Sequence, residues 1–460
     1  MAGRSTDYAG RKVLVVGAGR EGVSSACWFK RHGADVTVGD RMSHAQLRTT
    51  VRDLQKAGIT TFRFGRDYLK GITDYEIVVR TPLRPYFSPE IQRAVKAGVT
   101  VTSQTKVFFE RCPARIVGVT GTKGKGTTSS LIARMFKAGY MGRKRVWLGG
   151  NIGRPMLNFL DYVKSGDTVV LELSSYQLQD LDRSPQVAVV TNVTADHLDY
   201  HRSLREYRGA KRSITKYQRR GDLAVLNADD PGSKPFAGGP GRVRWFSTRK
   251  PADALLKDGW LAAGNKRLLR ESDLQVPGEH NRANVLAAAL AASACGVGTS
   301  AITKAAKEFR GLPYHLEYLG AKGGVRYFND SYATSETAAT PAVASIDTPL
   351  VLIVGGQKKG LRFEGLAEEA ARKDVRGIVA MPLEGEKIVR AFRRAFRKAG
   401  KPMPEVTDIR RKQQIVPAAR KLARKGDTVL FSPAATSFGW FKSYTDRGRF
   451  FTEQVKRIPS

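Results

Sequence analysis

The sequence predicts an α/β protein of three domains in series, each built around its own mainly parallel sheet. Two observations lead to this prediction. Short strands rich in β-branched residues alternate with helical patterns along the whole chain, which favours parallel sheets covered by helices. The chain also has 460 residues, enough for about three domains of ordinary size. We expect the domains to span residues 1–113, 114–312 and 313–460, because "RCPAR" and "RGLPYH" interrupt the pattern near these boundaries.

The first domain begins with the strand "KVLVVG", followed by "GAGREG" and a helical pattern. A second strand, "DVTVGD", ends in Asp40, and "YEIVVR" and "VTVTS" continue the rhythm, which predicts a small Rossmann-like sheet. The glycine pattern after a first strand is typical of a turn that binds a nucleotide phosphate through Gly17 and Gly19. Asp40 stands where a ribose hydroxyl would be bound. Taken alone, this segment suggests NAD or FAD.

The second domain carries the buried strands "RIVGVT", "TVVLEL", "VAVVTNV" and "DLAVLN". Residues 118–130, "GVTGTKGKGTTSS", follow the first of these and predict a phosphate loop that opens a helix, as in the central parallel sheet of P-loop ATPases. The loop departs from the usual pattern at Val119 and Gly126, which replace a Gly and a Ser or Thr. Its predicted ATP-binding residues are Gly121, Thr122, Lys123, Gly124, Lys125, Gly126, Thr127 and Thr128.

Possible metal ligands follow two further strands of this domain. Glu172 ends "VVLEL", and Asp196, His197 and Asp199 lie just beyond the next strand. Because ligands of open α/β sheets collect at the carboxyl ends of the strands, we expect both groups to face the phosphate loop. Mg²⁺ prefers oxygen ligands, so a carboxylate and a threonine hydroxyl would suit it, whereas a histidine ligand would be unusual.

The third domain contains "PLVLIVGG", "GIVAM" and "DTVLFSP" separated by helical patterns, which predicts a second Rossmann-like sheet. In "VRAFRRAFRKAGK", the residues Val389, Phe392 and Phe396 form an apolar stripe, and the basic residues point away from it.

Charge is the unusual quantity of this chain. Lys and Arg number 78 against 42 Asp and Glu, a formal net charge of +36. Such an excess suggests nucleic acid or an anionic surface as a partner. The basic residues are spread along the chain, however, so solvated basic helix faces are the favoured interpretation, and nucleic acid is an unlikely partner. Polyanionic small substrates would also suit this field.

Other features of the composition bear on location. Cys27, Cys112 and Cys295 lie far apart, which argues against a disulfide framework. No apolar run approaches the ~18 residues of a membrane span, and the first residues lack the apolar core of a signal peptide. We therefore expect a cytoplasmic protein.

The ordered motifs "GTKGKGTT", "LELSSYQL", "TNVTADHLDYH", "EYRGAK", "GEHNRAN", "FNDSYATS" and "LFSPAATSFGWFKSYTDRG" resemble those of the Mur ligase family over nearly the whole chain. They are most similar to the members that add D-glutamate to UDP-N-acetylmuramoyl-L-alanine in peptidoglycan synthesis. The resemblance implies that a substrate carboxylate attacks the γ-phosphate of ATP to give an acyl phosphate. The amine of the amino acid then displaces phosphate and forms an amide. The glycine turn of the first domain would then hold a UDP-sugar.

The resemblance also assigns roles to single residues. It implies Mg²⁺ with Glu172 and His197 as ligands or ligand neighbours, and a second Mg²⁺ held through a carbamylated Lys211. The phosphate loop itself offers the hydroxyl of Thr127 or Thr128, of which Thr127 is the predicted ligand. The implied catalytic residues are Lys125, His197 and Lys211. Further ATP-binding residues are His280, Asn281, His315 and Asp330. The UDP-sugar would be bound by Gly17, Gly19, Asp40, Arg41 and Asn151. The incoming glutamate would be bound by Thr334, Lys359, Ser437 and Tyr444.

Three residues depart from the family pattern. His315 stands where an Arg is usual, Tyr332 replaces a Lys, and Leu83 replaces a Gly. These changes leave open a related ligase that uses L-glutamate or another acceptor, such as a folate-like carboxylate. The charge leaves open a nucleic-acid-binding ATPase or a binding protein without catalysis.

Overall fold

The computed structural model describes residues 8–196, 200–357 and 362–459. His197 and Lys359, two of the predicted site residues, lie outside this part of the chain. The chain divides into two compact units. The first unit runs to Leu268 and includes Ala283–Ala305, and the second contains Leu269–Arg282 and everything from Ala306 onward.

The first sheet is parallel, with the order β3-β2-β1-β4-β5. Its strands are β1 (Lys12–Val16), β2 (Asp35–Asp40), β3 (Thr61–Phe64), β4 (Ile77–Arg80) and β5 (Thr100–Ser103). Its helices are α1 (Arg20–Arg31), α2 (Arg48–Lys56), α3 (Pro89–Lys96) and α4 (Gln104–Arg111). This is the doubly wound order 3-2-1-4-5 of a Rossmann-like sheet, so the predicted first sheet is confirmed, although the half-exposed β3 was not predicted.

The second sheet has the order β14-β13-β12-β11-β10-β9-β6-β8-β7. Its strands are β6 (Arg115–Thr120), β7 (Val146–Gly150), β8 (Thr168–Glu172), β9 (Val187–Val190), β10 (Leu223–Asn227), β11 (Arg242–Ser247), β12 (Ala254–Lys257), β13 (Trp260–Ala263) and β14 (Lys266–Arg270). The accompanying helices are α5 (Lys125–Tyr140), α6 (Ser175–Leu178), α7 (Leu204–Lys216), α8 (Glu279–Ala294) and α9 (Thr299–Lys307). The predicted strands β6, β8, β9 and β10 form the parallel centre. The antiparallel pair of β12 and β13 was not predicted.

The third sheet has the order β15-β16-β20-β17-β18-β19, and only β15 in the described sheet runs antiparallel to its neighbour. Its strands are β15 (Glu317–Lys322), β16 (Val325–Asn329), β17 (Leu350–Gly356), β18 (Val375–Leu383), β19 (Glu405–Asp408) and β20 (Thr428–Phe431). Its helices are α10 (Glu336–Ala344), α11 (Glu364–Arg372), α12 (Glu384–Lys398), α13 (Ile415–Leu422) and α14 (Tyr444–Lys456). The predicted apolar stripe of α12 is buried, with Phe392 fully enclosed.

Within the first unit, one continuous apolar core joins the first two sheets. The Phe108 and Phe159 rings pack edge to face, and the Trp28 indole donates to Asp161 across 2.8 Å. Arg80, at the end of β4, forms a fully buried ion pair with Asp180, just after α6. These contacts hold the first sheet and its helices against the segments that flank the central sheet, and the Arg80 pair does so at the carboxyl end of β4.

Among the described residues, no helix is long and apolar enough to cross a bilayer.

Candidate functional site

The phosphate loop lies between β6 and α5, as the sequence predicts. Gly121 has a φ of +150°, and a Cβ there would lie 1.9 Å from the Thr191 hydroxyl. Gly124 has a φ of +81°, and a Cβ there would lie 2.4 Å from the Asn284 side-chain oxygen. Both positions therefore require glycine, since a side chain would be strained and would collide with its neighbour. The loop ends at the amino terminus of α5, where backbone N–H groups can receive phosphate oxygens.

The segment after β9 holds this loop in place. The Thr122 amide donates to the Asn192 carbonyl at 2.7 Å, and the Lys123 amide donates to the Asn192 side chain at 3.0 Å. Thr191 donates its hydroxyl to the Lys123 carbonyl at 2.6 Å. Since each contact uses a side chain or backbone group outside the loop, the loop is shaped before any nucleotide binds.

Lys125 is the first residue of α5, and its ammonium donates to the Thr122 carbonyl at 3.0 Å. Burial lowers the pKa of Lys125, and the carboxylates of Glu172 and Asp196 partly raise it again. The ammonium thus stands over the loop with two carboxylates near it, where it can neutralise phosphate charge.

Glu172 ends β8 with its carboxylate almost fully buried. One oxygen accepts from the Asn151 amide at 2.7 Å. The other oxygen is buried and has no hydrogen-bond partner within the described residues. Burial raises the pKa of Glu172, while Asn151, Lys125 and Lys211 lower it. A buried carboxylate oxygen without a protein partner fits an oxygen ligand for a hard divalent cation.

Lys211 lies on the inner face of α7 and is 2% exposed. Its amine donates to the Gly121 carbonyl at 2.9 Å, so it lies directly beneath the phosphate loop. Burial lowers the pKa of Lys211 well below its ordinary value, and the charge of Lys125 lowers it further. The isolated lysine therefore has a strong tendency to be a neutral amine.

A second site opens beside this one, in the same unit. A cavity of about 710 Å³ is lined by the glycine turn after β1, the end of β2, the turn after β4 and residues after β7. Gly17 has a φ of +106°, and a Cβ there would lie 2.5 Å from the Thr81 hydroxyl. The volume and the glycine turn suit a ligand of nucleotide size. We name this space the acceptor cavity.

Asp40 and Arg41 both line the acceptor cavity. One Asp40 oxygen accepts from the Ala18 amide at 2.7 Å, and the other accepts from the Met42 amide at 2.8 Å. Asp40 thus fixes the glycine turn through its backbone contacts, in addition to any contact with a ligand. Asn151 also lines the cavity, so the side chain that bonds Glu172 touches both sites.

The second unit holds the predicted residues of the third domain. Asp330 is buried, and its oxygens accept from the Ser432 hydroxyl at 2.7 Å and the Leu316 amide at 3.0 Å. Burial raises the pKa of Asp330 to about 7. Arg447, also buried, donates to the Ser331 and Ala435 carbonyls at 2.8 and 2.9 Å. These groups fasten α14 to the end of β16.

Ser437 and Arg447 line a small cavity of about 50 Å³ in this unit. The Tyr444 carbonyl accepts from the Ser331 hydroxyl at 2.9 Å, and the Tyr444 ring meets that of Tyr332 edge to face. Thr334 is half-buried on the same turn after β16. Ser331 links Tyr444 and Arg447, and Arg447 reaches the cavity that Ser437 lines, whereas Thr334 and Tyr444 are not part of that lining.

Two comparisons decide the family. Models of the Mur ligase middle domain and of the Mur ligase glutamate ligase domain match residues 119–292 and 316–435. The UDP-N-acetylmuramoylalanine--D-glutamate ligase of Acetivibrio thermocellus is 38% identical over 460 aligned residues that cover 97% of each chain. This chain belongs to the Mur ligase family. It is accordingly an ATP-dependent ligase, as the sequence predicts.

Other Mur ligases agree with this assignment. The enzyme of the same name from Clostridium perfringens is 35% identical and covers 98% of this chain and 97% of its own. The structure of a UDP-N-acetylmuramate-alanine ligase from Thermotoga maritima matches with a TM-score of 0.58 at 21% identity, and covers 97% of this chain and 99% of its own. That likeness shows that the fold is the three-sheet Mur ligase fold.

The structure brings some of the predicted Mur ligase residues together, whereas the roles of others stay predictions. The phosphate loop, Glu172, Lys211 and Asn151 come together. His280 is the second residue of α8, and the side-chain amide of Asn281 donates to the Pro277 carbonyl at 2.7 Å. The role of both residues in adenine binding stays a prediction. The same holds for His197 and Lys359.

His315 differs from the arginine that Mur ligases usually have. Its ring stacks on Tyr332 with centroids 3.8 Å apart, and Nδ1 lies 3.0 Å from the Pro313 carbonyl. Burial lowers the pKa of His315, which favours the neutral ring, while the contact with the Pro313 carbonyl raises it. The two departures from the family pattern therefore occur together, as one aromatic stack in place of two cations.

Sequence reasoning missed three charged residues of the acceptor cavity, Arg20, Glu21 and Arg84. Arg20 and Glu21 lie inside "GAGREG" and both line the cavity. The Glu21 carboxylate accepts from the Gln177 amide of α6 at 2.7 Å. The motif itself could have drawn attention to both, because residues between the glycines of such a turn face the phosphates. No sequence signal pointed to Asp180 as the partner of Arg80.

Proposed function

We propose that this Mur ligase adds D-glutamate to UDP-N-acetylmuramoyl-L-alanine, with ATP converted to ADP and phosphate. One observation carries the proposal: Asn151 lines the acceptor cavity and also bonds Glu172 beside the phosphate loop. A UDP-sugar bound in that cavity would present its free carboxylate next to the γ-phosphate. The names of the curated relatives support D-glutamate as the amino acid.

The proposed reaction has two steps. A carboxylate oxygen of the acceptor forms a bond to the γ-phosphorus while the bond to the β-phosphate oxygen breaks, which yields an acyl phosphate and ADP. The amine of glutamate then attacks the acyl carbon, loses a proton, and expels phosphate as the amide forms. Because two anions must approach each other in the first step, the Lys125 ammonium lowers the barrier by neutralising charge on the phosphates.

The residues present fit a magnesium site. The candidate ligands are the unpartnered oxygen of Glu172 and the hydroxyl of Thr127, since the Thr128 hydroxyl already donates to Asn284 at 3.2 Å. His197 is a further candidate by family resemblance. Magnesium bound here would neutralise the phosphate oxygens and fix their orientation.

Lys211 is the proposed site of carbamylation. Its neutral amine would form a bond to the carbon of CO₂ and release a proton, which gives an anion in place of a cation. The exchange would suit the surroundings, because the amine lies buried beside the Lys125 charge. An anionic Lys211 could hold a second Mg²⁺. Isotope-labelled bicarbonate would then give a carbamate carbon resonance that Lys211→Met removes, whereas a persistent resonance would assign the carbamate elsewhere.

Asp330 and His315 of the third domain and His280 and Asn281 of the second are proposed to meet ATP. The third-domain residues Thr334, Lys359, Ser437 and Tyr444 are proposed to meet glutamate. We assign binding of the UDP-sugar, ATP and the amino acid to the predicted domains 1–113, 114–312 and 313–460, respectively. We place the enzyme in the cytoplasm with its UDP-linked substrate.

The deciding experiment measures phosphate release from ATP and Mg²⁺ with UDP-N-acetylmuramoyl-L-alanine and either D-glutamate, L-glutamate or no amino acid. Mass spectrometry follows the product. Release that requires D-glutamate, with one glutamyl group gained per phosphate, supports the proposal. A requirement for L-glutamate would keep the chemistry and reject the amino acid. Release that ignores the UDP-sugar would reject the acceptor, and stimulation by nucleic acid would favour the rival ATPase.

A further inference from the structure

A groove on the second unit lies between α13 and the end of α14, away from the residues assigned so far. Its volume is about 520 Å³. It is lined by Val416, Pro417, Arg420, Lys421, Gln454, Arg457, Ile458 and Pro459. We name it the C-terminal groove.

The C-terminal groove combines an apolar floor with a cationic rim. Val416 and Ile458 are buried and form its floor, while Arg420, Lys421 and Arg457 are exposed at its edge. None of these three cations forms an ion pair within the described part of the chain, and no acidic residue lines the groove. Glu453, next to Gln454 on α14, is exposed but outside the lining.

The segment that carries α13 extends this positive field. Residues 410–425 contain no Asp or Glu. They contain seven basic residues: Arg410, Arg411, Lys412, Arg420, Lys421, Arg424 and Lys425. This segment alone supplies +7 of the chain's net charge of +36, an excess that the ligase reaction does not explain.

Helix α12, which has six basic and two acidic residues, provides a contrast in the same unit. There Arg394 lies 3.6 Å from Glu364, and Lys398 lies 3.6 Å from Glu368. Those cations are exposed and partly compensated by the acids of α11, as expected of an ordinary solvated face. Among the described residues, the cations of the C-terminal groove lack such compensation, so they are open to an anionic partner from outside the chain.

We propose that the C-terminal groove binds the anionic phospholipid surface of a membrane. Exposed cations attract anionic headgroups, and an apolar floor between two prolines can take part of a lipid's glycerol or acyl region. Nucleic acid fits less well, because the groove lining has no aromatic ring on which a base could stack.

The position of the groove leaves the amino-acid site open. Helix α14 begins at Tyr444, among the proposed glutamate contacts, and ends at Lys456 beside the groove. A helix of 13 residues is about 20 Å long. A membrane that contacts the C-terminal groove would therefore touch the far end of α14, so ligation could continue on a bound enzyme.

Sedimentation of the full-length protein with vesicles tests the proposal. One set of vesicles contains phosphatidylglycerol and phosphatidylcholine, and the other contains phosphatidylcholine alone. The groove variant carries Arg420→Glu, Lys421→Glu and Arg457→Glu. Its matched control carries Arg393→Glu, Arg394→Glu and Arg397→Glu on α12, with an equal change in net charge. Phosphate release in solution should be unchanged in both variants, which shows that each has folded.

We expect the wild type to bind only the anionic vesicles, and the groove variant to bind at least about tenfold more weakly, since each cation near an anionic surface contributes about fivefold. The control should lose less than about threefold. An equal loss in both variants would overturn the proposal in favour of diffuse charge. RNA could instead displace the wild type from the vesicles. If the groove variant also failed to bind that RNA, the groove would be assigned to nucleic acid. If the groove variant fails to fold, the corresponding Gln substitutions give the same comparison.

Discussion

Glu21 gives the acceptor cavity a carboxyl group whose charge depends on pH. Burial raises its pKa from the ordinary 4.5 to about 7, although the Gln177 hydrogen bond and the charges of Arg80 and Arg20 lower it. That difference corresponds to about 3 kcal/mol between the neutral and ionised forms. We predict that Glu21→Gln, which stays neutral and keeps an oxygen for Gln177, removes this dependence on pH.

The sign follows from proton binding. Below pH 4.5 the carboxyl is neutral in both the folded and the unfolded chain, so it does not change the free energy of unfolding. As the pH rises toward about 7, the folded protein retains a proton that the unfolded chain has lost, and the free energy of unfolding falls. Above about 7 the loss is complete. The stability of Glu21→Gln relative to wild type should therefore increase with pH, by up to about 3 kcal/mol.

Thermal unfolding of both proteins from about pH 5 to about pH 8 measures this difference, because every other titrating group is common to the two. The acceptor's KM offers an independent readout. In the wild type it should rise as Glu21 ionises beside a diphosphate, and in Glu21→Gln it should stay level. A melting-temperature difference that is constant over the range, or that shrinks as the pH rises, would refute this reasoning.

Three further substitutions test the sites. Lys125→Met should lower phosphate release by about 10²–10³-fold, with little loss of stability because it removes a buried charge. Lys123→Met, at an exposed position of the same loop, should lower phosphate release by less than about tenfold, and equal losses would contradict the role given to Lys125. Arg80→Ala should destabilise the protein by about 3–5 kcal/mol in thermal or urea unfolding, because Asp180 stays buried without its partner. The double variant Arg80→Ala with Asp180→Ala should recover part of this stability, and no recovery would count against the ion pair. Gly17→Ala should raise the acceptor's KM, because the new Cβ would lie 2.5 Å from the Thr81 hydroxyl. Gly19→Ala should leave the KM nearly unchanged, because its Cβ meets nothing within 4 Å. The reverse order of effects would show that the turn is not part of the binding surface.

The sequence could predict those parts of the site that local chemistry determines. The glycines of the phosphate loop and Glu172 at the end of β8 are readable because a strand, a turn and a helix start place them within a short stretch of chain. Lys211 was different, because on residue type alone it resembles any lysine of a helix face. Only the family resemblance singled it out, and its burial beneath Gly121 follows from how α7 packs.

Features that depend on pairing across the chain were beyond the sequence. Arg80 and Asp180 are separated by 100 positions, and the sequence around each residue gives no signal that the two form a pair. Strands β7 and β15 lie at sheet edges and are half-buried, so they lack the apolar signal of the central strands. The lowered pKa of His315 likewise depends on its burial, and its stacking on the Tyr332 ring exists only in the folded chain.

The shared core of the first unit affects how this enzyme could be recombined with its relatives. An exchange of residues 1–113 alone would cut through the contacts of Arg80 with Asp180, Trp28 with Asp161 and Glu21 with Gln177. The grafted segment would leave a buried carboxylate of the host without its cation. A chimera therefore has to transfer the chain through Asp180 together with the first sheet, so the unit of exchange is larger than a domain drawn from sequence motifs.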